Sequence, residues 1–378
     1  MCRFGAGSES GSRPPRTRPP RAESRPRRAR ARTPGGRAVA SDPACREQGG
    51  FGGARARASR PRRPGRQPDR LTAVERPMSA IPGLEVEHAH VDVQGLRMHV
   101  AAAGDPGAEP LVLLHGWPQH WYAWRRLIGP LSERYRVLCP DLRGFGWTAA
   151  PRGSYRKSEL AADVVALLDS LGLDRVRLAG HDWGGFAGFL LCLDHPGRVS
   201  HFAVAGMSHP WVEPEHGAAA ALKQARRLAY MALIAAPVAG GQLVRRVPAF
   251  TRAVMRASAI DPDRTWSPAE LDAFVAQWGE PDRAAACVAL YRTFLTRELR
   301  DLATGAFRSQ TMETPCLQLV GIADPVIRPE QQAGAEANAP NLRVQTVPDA
   351  GHWLPEEAPE ALLDGMLELF AGPGSPAA

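Results

Sequence analysis

Hydrophobic positions follow two spacings over most of this chain. Short apolar or alternating runs at 88–93, 96–103, 111–114, 136–140, 175–179, 199–205, 316–320 and 342–347 have the period of strands. The first two flank a turn at Gln94-Gly95. Between these runs, 158–171 carries apolar residues at helical spacing, with Ser158 placed as N-cap and Gly172 as the stop. A second helix opens at 185, and 355–370 closes the pattern. Strands alternating with helices predict an α/β fold: a mostly parallel sheet with helices on both faces and active residues in loops at the carboxyl ends of the strands. The strand signal stops between 208 and 303. That segment is Ala-rich and its helical spacing is broken at Pro237, Pro248, Pro262, Pro268 and Pro281. It reads as an inserted helical cap, leaving 78–207 and 304–378 as the core.

Charge changes the picture at the amino-terminal end. Residues 1–77 hold 20 Arg, no Lys and 6 acids, a net of +14; the remainder is −6, which together give the net +8. The basic balance therefore belongs to the extension and not to the body. Its Arg, Pro, Gly and Ser content with no apolar period predicts disorder. Nucleic acid or an anionic surface is a conceivable partner of that extension, and nucleic acid is not expected on the folded body. Met78 leads straight into the first strand, so a second reading takes it as the true start and the preceding stretch as upstream sequence.

No apolar run of eighteen residues occurs, so no membrane span is expected and a cytoplasmic location is the default. The six cysteines (Cys2, Cys45, Cys139, Cys192, Cys287 and Cys316) are scattered without a CxxC pair. They read as reduced thiols, not as a disulfide frame or metal site. No phosphate-cradling loop is evident, and no cofactor is expected. Nothing in the pattern sets an oligomeric state.

The candidate chemistry centres on Gly180-His181-Asp182-Trp183-Gly184, which joins a strand to a helix. Strand, Gly-x-Asp-x-Gly, helix resembles the nucleophile elbow of the α/β-hydrolases, with Asp in place of the usual Ser. A carboxylate is already ionised at neutral pH and suits displacement at an sp³ carbon, such as that of an epoxide or alkyl halide. The alkyl-enzyme ester so formed must then be hydrolysed. Downstream, one strand runs into Gly321-Ile322-Ala323-Asp324-Pro325, and another into Pro348-Asp349-Ala350-Gly351-His352. Nucleophile, acid, His is the chain order of that fold's triad, with Asp324 orienting His352 and His352 taking a proton from water. A turn role for Asp324 and a helix-capping role for His352 are the plainer alternatives. Upstream, 111–114 ends in His115-Gly116-Trp117-Pro118, where the fold draws an oxyanion N–H. The oxyanion donors would be the backbone N–H groups of Trp117 and Trp183. His115 reads as a residue that ties loops together.

From about 86 to 370 the chain resembles the epoxide hydrolases of the α/β-hydrolase fold, with haloalkane dehalogenases next. The resemblance rests on LLHGWPQHWYAWRRLIGPL, DLRGFGWTAAP, GHDWGG, GIADPVI and PDAGHWLPEEAPE. It implies a small hydrophobic epoxide and water as substrates, and two cap tyrosines that donate to the epoxide oxygen. Only Tyr230 and Tyr291 fall in the right segment, and Tyr291-Arg292 fits the family's YR pattern better than the surroundings of Tyr230 fit theirs. Many dehalogenases place Asn where Trp117 stands; fluoroacetate dehalogenases place Arg where Trp183 stands. Trp211, Trp266, Phe274 and Trp278 are candidates for lining the substrate pocket, or else form the cap's own core. The alternatives to epoxide opening are haloalkane dehalogenation through the same ester and a non-catalytic ligand-binding protein.

Overall fold

The computed structural model describes residues 72–73, 83–212 and 218–371, all within one unit, Gly65–Ala378. The stretch expected to be disordered lies outside the described residues except for Thr72–Ala73 (β1), which pairs antiparallel with Ala89 and His90. The remaining strands are β2 Glu87–Val93, β3 Leu96–Ala103, β4 Glu109–Leu114, β5 Tyr135–Pro140, β6 Val176–His181, β7 Val199–Ala205, β8 Cys316–Gly321 and β9 Leu342–Val347. They form one sheet in the order β1-β2-β3-β5-β4-β6-β7-β8-β9. From β5 through β9 all pairings are parallel. The sheet is therefore antiparallel at one edge and parallel in its body.

Two apolar layers cover it, as a sheet buried on both faces requires. On one face pack the helices α2 Lys157–Leu171 and α3 Trp183–Asp194, around Leu160, Val164, Phe189, Leu178 and Phe202. On the other pack α1 Arg125–Ser132 and, at the chain's end, the helix Pro359–Ala371, around Trp124, Leu127, Leu113, Leu319 and Phe370. Among the described residues no single helix is long and apolar enough to cross a membrane.

Every element described between β7 and β8 is helical. These are α4 Ala218–Ala235, α5 Ala239–Arg246, α6 Pro248–Ala257, α7 Pro262–Thr265, α8 Pro268–Ala276, α9 Pro281–Thr293 and α10 Leu299–Ala303. A 3-10 turn, Gln277–Gly279, follows α8, and a π-helical turn, Phe294–Glu298, joins the last two helices. Proline stands at the start of α6, α7, α8 and α9, where the missing N–H costs nothing, so four of the five breaks read in the sequence are helix starts; Pro237 lies between α4 and α5.

The start of α2 corrects one expectation. Ser158 lies inside the helix; the N-cap is Arg156, whose side chain makes no capping bond. The Lys157 N–H instead donates to Glu298 Oε1 at 2.7 Å, and Lys157 Nζ reaches Glu298 Oε2 at 2.7 Å. The cap comes from 141 residues away in sequence, on the π-helical turn, and no local pattern could announce it. Gly172 does end the helix, with φ 69°.

Candidate active site

Asp182 sits between β6 and α3 with φ 50° and ψ −126°, a conformation that costs a non-glycine residue energy. The turn is tight enough that its flanks admit no side chain. A Cβ on Gly184 would lie 2.4 Å from the carbonyl oxygens of Leu114 and His115, and one on Gly180 would lie 2.7 Å from Gly185 Cα. This is the physical reason for the Gly-x-Asp-x-Gly spacing. Asp182 is thereby lifted to the carboxyl end of the sheet.

The loop after β4 meets it there. The Trp117 N–H donates to Asp182 Oδ1 at 2.8 Å. His115 holds that loop: Nδ1 lies 3.0 Å from Gly116 O, and Nε2 accepts the Leu142 N–H at 3.0 Å. Behind it lies a residue that received no role in the sequence reading. Buried Asp141 accepts the N–H groups of Trp121 and Trp147 and bonds His99 Nδ1 at 2.7 Å. Burial opposes its charge, but His99 and the neighbouring histidines His120 and His115 hold its pKa well below the usual range. The DLRG motif contains it; its acceptor role required knowing which backbone N–H groups converge on it.

The loops after β8 and β9 bring in two more groups. Asp324 Oδ2 lies 2.9 Å from His352 Nδ1. Its other oxygen accepts the N–H groups of Val326 and Ile327 at 2.7 and 2.9 Å. Asp324 is thus both the turn residue and the partner of the imidazole, two readings that had stood as alternatives. His352 Nε2 faces Asp182 Oδ2 at 3.7 Å. Burial alone would lower the pKa of His352. The Asp324 charge and the bonds to both carboxylates outweigh it and raise the ring to about 10. The His352 N–H donates to Ser258 O of the helical insertion at 3.0 Å.

Tyr230 and Tyr291 come from α4 and α9 and meet edge to face, with centroids 5.8 Å apart. Trp117 stacks on Tyr230 and meets the edge of Tyr291. Burial first, and for both the nearby Asp182 charge, raises the two phenols well above their ordinary pKa, so each keeps its proton at neutral pH. The structure thus brings together Asp182, His352, Asp324, Trp117, Trp183, Tyr230 and Tyr291. Among the described residues no three His, Cys, Asp or Glu side chains are placed to hold a metal ion.

The four aromatic candidates for the pocket wall are a correction. A cavity of about 240 Å³ opens from Asp182 and Trp183 between Phe186, Met207, Leu228, Met231, Phe294 and Ile327, and none of the four lines it. Trp266 and Phe274 belong to the apolar layer on the opposite face of the sheet, with Trp353. Trp211 packs on Phe189 and donates to the carbonyls of Phe307 and Gln310. Trp278 packs on Phe145 and donates to Pro118 O. Each fills a seam between cap and core. Helical segments with frequent breaks offer no single period from which to separate such seam residues from a pocket wall.

Comparison with known proteins extends these observations. The α/β-hydrolase fold family matches residues 109–359. The soluble epoxide hydrolase of a Corynebacterium species is 30% identical over 298 residues, covering 76% of this chain and 98% of that protein. Epoxide hydrolase A of Mycobacterium tuberculosis is 32% identical over 315 residues, covering 75% and 96%. The chain belongs to the epoxide hydrolase family of α/β-hydrolases. The solved structure of the epoxide hydrolase CorEH superposes with a TM-score of 0.66 at 29% identity, over 76% of this chain and 99% of that one. The Burkholderia cenocepacia protein Cfl2 gives a TM-score of 0.67 at 26% identity. This member of the family is accordingly an enzyme, a hydrolase of the α/β fold.

Proposed function

We propose that this hydrolase opens epoxides to vicinal diols through an ester on Asp182. The observation that carries the reading is His352 held between two carboxylates, bonded to Asp324 and 3.7 Å from Asp182. An aspartate on the elbow needs no base to attack, so a histidine beside it serves the second half-reaction. In the first step Asp182 Oδ2 attacks one ring carbon, and the carbon–oxygen bond of the epoxide breaks. Tyr230 and Tyr291 donate to the departing oxygen as it gains charge. A proton drawn from the His352 imidazolium balances the alkoxide and leaves the ring neutral. In the second step neutral His352 takes a proton from water, which attacks the ester carbonyl carbon. Oδ1, already facing the Trp117 N–H, becomes the oxyanion; collapse breaks the bond between the ester carbon and Oδ2, and the departing alkoxide takes the proton of the new carboxyl group, which releases the diol and restores the Asp182 carboxylate.

The paired phenols favour an epoxide over a haloalkane, because halide leaves without a proton. The names carried by the relatives point the same way. The test is trapping. His352→Gln given styrene oxide is expected to gain one substrate mass on the Asp182 peptide and to release no diol. In a single turnover of the unaltered enzyme in heavy-oxygen water, the first diol is expected to carry unlabelled oxygen from Asp182. Diol formation by His352→Gln without any adduct defeats the assignment, and turnover of 1-chlorobutane in preference to styrene oxide favours dehalogenation.

A further inference from the structure

We infer that Glu357 is a positioning residue for His352: its carboxylate clamps the main chain on both sides of the imidazole and ties that chain to the helical insertion. The inference rests on the epoxide reading above, in which His352 activates the water that opens the Asp182 ester. Glu357 ends the short helix Leu354–Glu357 that follows the His352 loop. Its Oε2 accepts the Gly351 N–H at 3.1 Å, and its Oε1 accepts the Trp353 N–H at 2.9 Å. These two residues stand immediately before and after His352. Oε2 also accepts the Ile260 N–H of the insertion at 2.9 Å. An acid in a first helical turn commonly reaches back to the N–H of the N-cap, here Trp353. The bonds to Gly351 and Ile260 have no such local cause.

Gly351 records the same close approach. A Cβ there would lie 2.7 Å from Ser258 O and 3.1 Å from each carboxylate oxygen of Glu357. The main chain of His352 itself is held by other groups. Its N–H donates to Ser258 O, and its carbonyl accepts from His181 Nε2 at 2.9 Å. Asp324 bonds the ring at Nδ1 and so fixes its rotation. The place of the ring along the loop is set by the main chain, and Glu357 anchors both of the flanking N–H groups. All three of its partners are donors. Glu357→Gln keeps the shape but turns one acceptor oxygen into an amide nitrogen that faces an N–H.

The test follows both half-reactions of Glu357→Gln with styrene oxide by rapid mixing. Chains that take up adduct on Asp182 count the folded sites, and both rates are referred to that count. Ester formation is expected to stay within about threefold of the unaltered enzyme, because an ionised carboxylate attacks without a base. Ester hydrolysis is expected to slow by about 10- to 100-fold, the scale of a base displaced by a fraction of an ångström to one ångström. The ester then accumulates, and kcat and KM fall together. Gly351→Ala pushes on the same carboxylate from the loop side and is expected to give the same imbalance; it carries the test where Glu357→Gln does not fold. Equal slowing of the two steps, or hydrolysis at the unaltered rate, overturns the inference and leaves the epoxide reading intact. An unaltered enzyme that forms no Asp182 ester removes the epoxide reading and this inference with it.

Discussion

His352 Nε2 lies 3.7 Å from Asp182 Oδ2 while its Nδ1 lies 2.9 Å from Asp324 Oδ2, so one imidazole spans two carboxylates. The ring therefore rests as imidazolium, with a pKa raised to about 10. Esterification of Asp182 removes one of the two anions and lowers that pKa. Rapid-mixing measurements are expected to show ester formation nearly flat over about pH 6 to 9, and ester hydrolysis rising with an apparent pKa below about 10. The two steps having the same pH profile contradicts this coupling.

The same ring has a stability consequence with a definite sign. Its folded pKa lies above its ordinary 6.5, so the stability it contributes is complete below that value and is lost as pH rises through about 10. Thermal melts are expected to show the unaltered protein losing stability relative to His352→Gln across that window, and converging with it at the alkaline end.

Tyr291→Phe keeps the ring against Trp117 and Trp183 and removes only the donor. Ester formation from an epoxide is expected to slow by about 10²–10³, or ~3–4 kcal/mol, with little change in melting temperature. Tyr230→Phe is expected to act in the same direction. Near-normal ester formation in both variants would make the phenols packing residues.

Asp141→Asn puts an amide where Trp121 N–H, Trp147 N–H and His99 now meet a carboxylate. At least one donor then faces another donor. Denaturant titration is expected to show a loss of about 3 kcal/mol or more, because the site is wholly buried.

Lys157 Nζ is buried against Glu298 and stands 4.1 Å from the centre of the Trp183 ring. Lys157→Met is expected to cost about 3–5 kcal/mol by leaving the Glu298 charge without its counter-ion. Lys157→Met combined with Glu298→Gln, which removes the charge and keeps an acceptor for the Lys157 N–H, is expected to recover much of that loss in a double-mutant cycle. A double variant as unstable as the sum of the singles contradicts the pairing.

Much of this arrangement was legible in the chain, and the limits have physical causes. The parallel strands are short apolar or alternating runs, and β6, β8 and β9 lead into motifs, so Asp182, Asp324 and His352 could be placed at strand ends before any coordinates. Local chemistry marks such positions: a tight turn demands Gly180 and Gly184. Partnerships across long separations leave no such mark. Glu298 capping Lys157, and Asp141 collecting N–H groups from two loops, are visible only once the chain is folded. The aromatic residues Trp266, Phe274 and Trp278 failed as pocket candidates for a related reason. Their residue type fits a pocket wall and a domain seam equally, and only packing separates the two.

The backbone bond from His352 to Ser258 O bears on how such enzymes diversify. The helical insertion enters after β7 and leaves before β8, so both its ends join neighbouring strands of one scaffold. That layout invites exchange of the whole insertion between relatives as a means of changing the accepted molecule while the reacting groups stay put. The exchange is not neutral, however, because the loop bearing His352 is tethered by a carbonyl that belongs to the insertion. A transplanted segment has to present an acceptor where Ser258 stands. Modularity in this scaffold is therefore conditional on main-chain acceptors such as Ser258 O and Met255 O, which Trp353 Nε1 meets at 2.9 Å, and shuffled libraries that keep them should retain ester hydrolysis where otherwise similar ones lose it.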